Sequence, residues 1–98
     1  MGQFDVYRFS NGAMLVDLQS DLVDCGTRVM APLVPDDGRE LPFERLEPVV
    51  SIAGRRYFVQ LSQLAAVMVR RLPTEPDHSL HHDQDRLKDA IDFLIRGF

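Results

Sequence analysis

Apolar and polar residues alternate over residues 3–9, QFDVYRF, with Phe4 and Val6 on one side and Tyr7 and Phe9 on the other. Alternation of period two with apolar groups on both faces predicts a β-strand packed on two sides. Ser10-Asn11-Gly12 follows, and a second apolar run occupies residues 13–18. Asn-Gly between two apolar runs is the strongest short hairpin signal, because a two-residue turn there holds both residues at positive φ. A hairpin over residues 3–18 is therefore predicted.

Residues 19–27 are polar around the apolar pair Leu22-Val23 and read as a loop closed by Gly26. Residues 28–34, RVMAPLV, read as a third strand. Pro32 cannot donate to a ladder, so a bend, a bulge or an edge is expected at that point. Residues 35–38 have turn chemistry, and residues 40–48 form an irregular connection carrying Leu41, Phe43 and Leu46. A second hairpin is expected from residues 49–52 and 56–59, around Ala53-Gly54-Arg55. Residues 61–66 read as a short helical turn, 67–72 as a strand stopped by Pro73, and 74–79 as a Pro-rich polar loop. Leu80, Leu87, Ala90, Ile91, Leu94 and Phe98 then recur at helical spacing, which predicts an amphipathic helix over about residues 80–96. Strands over about residues 3–72 and one C-terminal helix make a single α+β domain spanning 1–98, built on a partly open antiparallel barrel.

Composition narrows the function classes. A chain of 98 residues hides only ~60–65% of its unfolded surface, so an oligomer is expected. No apolar run approaches the ~18–20 residues of a membrane span. The opening MGQFDVYRF has no basic n-region followed by an apolar h-region, so no signal peptide is expected. Cys25 is the one cysteine and has no internal partner for a disulfide, which fits a cytoplasmic protein. The net charge is −4. Proteins that grip phosphate backbone carry positive charge or a dense basic stripe, so direct nucleic-acid binding is disfavoured.

The candidate chemistry is sparse. His78, His81 and His82 cluster with Asp77, Asp83 and Asp85, and His81 and Asp85 are spaced as two ligands on one helix face. No further Cys or His completes a zinc set, and a solvated helix start is the plainer reading. Asp17, Asp21 and Asp24, with Ser20, form an acidic group after a strand. Acid–base work requires a shifted pKa, whereas Asp and Ser in such loops ordinarily bond to local backbone. Cys25 lacks an evident partner base, which leaves a passive thiol. Arg55-Arg56 and Arg70-Arg71 read as solvated pairs. No phosphate-cradling glycine loop and no nucleophile elbow is present. The residues point to a binding domain without cofactor or metal rather than to an enzyme.

Several blocks carry a resemblance when taken together. They are QFDVY at residues 3–7, LVDLQSDLVD at 15–24, GTRVMAPL at 26–33, LEPVVSI at 46–52 and LKDAIDFLIRGF at 87–98. In this order and spacing the chain resembles the CcdB family, the toxin half of plasmid and chromosomal toxin–antitoxin modules. The resemblance implies an SH3-like antiparallel β-barrel with a small extra sheet and a C-terminal helix, assembled as a homodimer. It also implies a toxin that is not an enzyme: the dimer wedges into the A subunits of DNA gyrase and traps the enzyme on cleaved DNA. A CcdA-like antitoxin with a disordered acidic tail would strip it off. Carried over by position, the gyrase-binding set is Leu22, Val23, Asp92, Ile95, Arg96, Gly97 and Phe98. The antitoxin-binding set is Gln3, Phe4, Tyr7, Val16, Asp17, Gln19 and Ser20.

The tail departs from the family's Trp-Gly-Ile, since Arg96-Gly97-Phe98 stands there, with Asp92 in place of the family's Asn. The family's indoles are expected to stack on gyrase arginines, a cation–π contact. Arg96 sets a cation against a cation unless Asp92 neutralises it. One alternative is therefore a CcdB-fold protein that keeps antitoxin binding and has lost or changed its gyrase target. A second is a MazF-like ribonuclease on the related barrel, which would favour a basic surface.

Overall fold

A computed structural model describes residues 2–36, 38 and 46–97. Strands β1 (Asp5–Arg8) and β2 (Met14–Asp17) form the first hairpin, Val6 opposite Val16. Its turn differs from the predicted one. Gly12 N–H donates to Phe9 O at 2.9 Å, and Phe9 N–H donates to Ala13 O at 2.8 Å. Only Gly12 in this turn is at positive φ, while the Asn11 side chain accepts the Ala13 N–H. Residues 10–12 thus make a three-residue loop with glycine as its left-handed member, the alternative to a two-residue turn. The two-residue turn occurs in the second hairpin, between β4 (Val49–Ile52) and β5 (Arg55–Val59). There Ala53 and Gly54 have φ of 52° and 79°, and Ile52 faces Arg55. Arg55 consequently belongs to the strand and not to the connection.

Strand β3 (Thr27–Pro35) is the spine of the sheet. One side pairs with β2, from Met14 opposite Leu33 to Asp17 opposite Met30. The other side pairs with β5 over Leu33, Val34 and Pro35, and with β6 (Ala65–Met68) from Met30 back to Thr27. Pro32 lies between these two stretches. Its carbonyl accepts Gln60 N–H at 2.9 Å, so its nitrogen points to that same side. The absent N–H falls where the neighbouring strand is interrupted by a 3₁₀ turn at Leu61–Gln63. A proline costs little at that position.

Two boundaries move relative to the sequence reading. The turn expected over residues 61–66 covers only Leu61–Gln63, and the strand expected over 67–72 runs from Ala65 to Met68. The turn ends where Leu64 takes an extended conformation, its N–H donating to Leu61 O. The strand stops because Met68 already faces Thr27, the first residue of β3, and Val69 N–H continues onto Gly26 O. Arg70 and Arg71 therefore sit in a 3₁₀ turn, Val69–Arg71. In the expected loop over 74–79, β7 (His78–Ser79) pairs with Val6 and Asp5 of β1. The strand order is β4-β5-β3-β2-β1-β7, with β6 also on β3. The sheet curls into a nearly closed SH3-like barrel, giving an α+β fold. The connection expected over residues 40–48 lies outside the described residues up to Arg45.

Helix α1 (Gln84–Arg96) begins later than residue 80, after a 3₁₀ turn at His81–Asp83. Leu80 still enters the core, from that turn. Leu87 and Ala90 pack into a core with Val6, Val16, Val59 and Leu61, and Ile91 and Leu94 lie against it. Burying this stripe fixes how far the end of the helix projects.

Candidate functional site

The loop between β2 and β3 is built around one buried guanidinium. Arg28 Nε donates to Asp17 Oδ2 at 2.8 Å, and both side chains are buried. Arg28 Nη2 donates to Gln19 O at 2.8 Å and to Asp21 Oδ1 at 3.2 Å, and Nη1 reaches Val23 O at 3.5 Å. The Gln19 amide adds a second strut. Its Nε2 donates to Val23 O at 2.9 Å, and its Oε1 accepts Val29 N–H at 3.0 Å. Ser20 Oγ accepts Leu22 N–H, and Ser20 O accepts Val23 N–H. Gln19, Asp21 and Val23 thus each give an acceptor to the guanidinium, and Leu22 between the last two gives none. Leu22 is 96% exposed and Val23 47%.

The two charges of this pair respond differently to burial. Desolvation lifts the Asp17 carboxyl above its ordinary value, against the pull of Arg28 and the Gln19 N–H. Desolvation also disfavours charge on Arg28, but hydrogen bonds and attraction from Asp17 and Asp21 overcome it and raise its pKa. The asymmetry has a simple origin: Arg28 faces two carboxylates, whereas Asp17 faces one cation and the repelling Asp21. Sequence reasoning missed Arg28. Its signal was a lone cation in the apolar strand RVMAPLV, directly after a loop carrying Asp21 and Asp24.

The residues assigned to antitoxin binding come together at the adjoining edge. Phe4 N–H donates to Asp17 O, Gln3 N–H to Asp21 Oδ1 at 2.8 Å, and Gln3 Nε2 to Leu18 O at 2.9 Å. Phe4, Tyr7, Val16 and Asp17 are buried, so Gln3, Gln19 and Ser20 present the accessible polar atoms of the set. Desolvation lifts the Tyr7 phenol, reinforced by Asp5 and Asp17. Phe4 has φ of 70°, a left-handed conformation costly for a bulky residue. It stands in a tight turn closed by Asp5 N–H to Gly2 O, and its wholly buried ring offsets the strain.

The remaining assigned residues end α1. Gly97 has φ of 81°, and its N–H donates to Phe93 O at 2.9 Å, a glycine C-cap. An added Cβ would meet nothing within 4 Å, so the glycine serves the backbone bend and not a lack of space. Ile95 is 70% exposed just before it. Arg96 Nη2 lies 3.5 Å from Asp92 Oδ2 across one helical turn. Phe98 lies outside the described residues.

The other candidates are dispersed. His81 precedes α1, so it lacks the helical spacing to Asp85 that the sequence suggested. His78 Nδ1 pairs with Asp77 at 2.8 Å and His82 Nε2 with Asp83 at 3.1 Å. Among the described residues no three such side chains gather as a metal-holding group. Asp17 and Asp21 are joined through Arg28 and do not face each other across a cleft. Cys25 is exposed, and its thiol lies below its ordinary value because of hydrogen bonds with the Thr27 side chain and backbone. Arg55 stacks 5.8 Å from the Tyr57 ring centre, and Arg56 pairs with Asp36. No helix among the described residues is long and apolar enough to cross a membrane.

Among the described residues, the exposed large apolar side chains are Leu22 and Val23 on the braced loop, Ile95 just before the capped helix end, and Met68 at the end of β6. No curated protein matches this sequence. The family described as CcdB protein matches residues 3–97, a span that takes in the whole barrel, the braced loop and α1. With that match and an SH3-like barrel closed by one C-terminal helix, the chain belongs to the CcdB family, the toxin half of a toxin–antitoxin module.

Proposed function

We propose that this toxin acts by binding the A subunit of DNA gyrase as a homodimer and trapping the gyrase–DNA cleavage complex, until a CcdA-like antitoxin removes it. The observation that carries the reading is the exposure of Leu22 (96%) and Ile95 (70%) at positions assigned to the gyrase contact. Contiguous exposed apolar surface marks binding sites, and Leu22 with the adjoining exposed Val23 supplies such surface on the loop. Val23 extends the contact, and Gly97 lets the chain leave the helix. The net charge of −4 suits a protein surface as target better than a phosphate backbone. Gln3, Gln19 and Ser20 supply hydrogen-bonding groups for an extended antitoxin segment, over the buried Phe4, Tyr7, Val16 and Asp17. The action is binding, with no covalent step by this chain; RNA cleavage by the purified protein would overturn it. Expression should arrest growth, and a resistant gyrase A allele should restore it. Toxicity that such an allele leaves untouched would exclude gyrase as the target.

A second reading is favoured by one contact. The Asp92–Arg96 pair at 3.5 Å puts an ion pair where the family carries an aromatic. On this reading the chain retains the fold and antitoxin binding, and its topoisomerase contact is lost or altered. Toxicity created by Arg96→Trp in a harmless parent would select it over the first.

A further inference from the structure

The geometry points to Arg28 as a positioning residue for the target contact: its guanidinium fixes the backbone that holds Leu22 and Val23 out to solvent. The inference rests on the reading above, in which those two side chains touch gyrase A. A loop of residues 18–26 containing Gly26 and small polar residues has little reason of its own to hold one shape. Four acceptors on four different residues converge on one side chain: Asp17 Oδ2, Gln19 O, Asp21 Oδ1 and Val23 O. Only a planar fork of rigidly spaced donors meets acceptors arranged in this way, and an ammonium does not. Asp17 anchors the fork to β2, and Arg28 itself is fixed in β3 opposite Val67. The Gln19 amide ties Val23 O to Val29 N–H and closes the loop from the other side.

Preorganisation shows in affinity. Each backbone residue left to be ordered on binding costs roughly tenfold. With the fork removed, residues 22 and 23 have to be ordered, so the expected loss is about hundredfold. The test titrates the gyrase A subunit with wild type, Arg28→Lys, Gln19→Leu and Leu22→Ser, at a temperature where each is fully folded by circular dichroism, and melting temperatures are read for these and for Arg28→Met. Hydrogen exchange at the Leu22 and Val23 amides is read in the same samples. Arg28→Lys keeps a charge beside Asp17 and loses the fork. It should regain much of the melting temperature lost by Arg28→Met, yet remain roughly hundredfold weaker in binding, with faster exchange at both amides. Gln19→Leu, at a half-buried site, should lose about tenfold. A purely structural Arg28 would change the melting temperature and leave the affinity of folded protein unchanged. Wild-type affinity in folded Arg28→Lys, alongside a loss in Leu22→Ser, overturns the positioning role alone. Wild-type affinity in Leu22→Ser overturns the gyrase contact at this loop, and with it the role given to Arg28.

Discussion

Arg96→Trp is the substitution whose outcome can be worked furthest from the structure. Arg96 and Asp92 are 58% and 52% exposed, and their closest atoms are 3.5 Å apart. An exposed i,i+4 pair contributes ~0.3–0.5 kcal/mol, and a cation in the last helical turn ~0.3–1 kcal/mol more. The replacement therefore costs the fold about 1 kcal/mol and leaves the chain folded. At the target the balance runs the other way. If residue 96 meets a gyrase arginine, an indole gains ~1–2 kcal/mol per contact by stacking and removes a cation–cation encounter. Two symmetry-related contacts in a dimer then tighten binding roughly 30- to 900-fold. The assay is calorimetric titration with the gyrase A subunit at several salt concentrations, with linear DNA from trapped gyrase measured in parallel. Added salt should tighten the wild-type complex by screening the repulsion, and should have the opposite effect or none on Arg96→Trp. Equal or weaker binding by a fully folded Arg96→Trp would show that residue 96 does not face a gyrase arginine.

Three further outcomes follow from the backbone and the buried pair. Ala53→Gly relieves a φ of 52° in the β4–β5 turn and should raise stability by about 0.5–1 kcal/mol in urea unfolding, whereas no gain would mean the turn is unstrained. Gly97→Ala forces a side chain onto a φ of 81° and should lower stability by about 1 kcal/mol, about 4–8 °C in melting temperature, even though its Cβ meets open space. Asp17→Asn tests the raised carboxyl. The folded chain holds that proton more tightly than the unfolded chain, so wild type should lose stability relative to Asp17→Asn as pH rises from the ordinary value of 3.8 toward neutrality. A difference moving in favour of wild type over that window would mean that attraction to Arg28 outweighs burial.

The fold was legible where one periodicity or one turn residue decides the outcome. The first hairpin, β3 and α1 each follow from a pattern that a single face of the barrel enforces. Boundaries set by a partner strand were not legible. The end of β6 at Met68 depends on where β3 begins, and β7 forms because β1 has a free edge at Asp5 and Val6. Neither fact lies within the segment concerned. The Asn-Gly turn illustrates a local ambiguity: glycine fixes where φ turns positive, but two- and three-residue loops use the same pair, and the strand register chooses between them.

The site was legible to the extent that exposure follows from local chemistry. An apolar Leu22-Val23 pair inside a polar loop and an Ile95 off the helical stripe are visible as departures from pattern. What holds the loop was not, because an acidic cluster in a loop reads as bonded to its own local backbone until the cation that gathers it is placed. Arg28 lies beyond Gly26 on the next strand, and only antiparallel pairing brings it beside Asp17. With the guanidinium at the centre, Asp17 and Asp21 become its anchors instead of an acid–base set, and the acidic character of residues 17–24 has a structural cause. The same step recasts the antitoxin-facing set: Asp17 and Gln19 brace the loop that carries Leu22. A substitution at either one therefore reports on loop geometry as well as on the proposed antitoxin contact, and affinities for the two proposed partners have to be measured on the same variant before a residue is assigned to one of them.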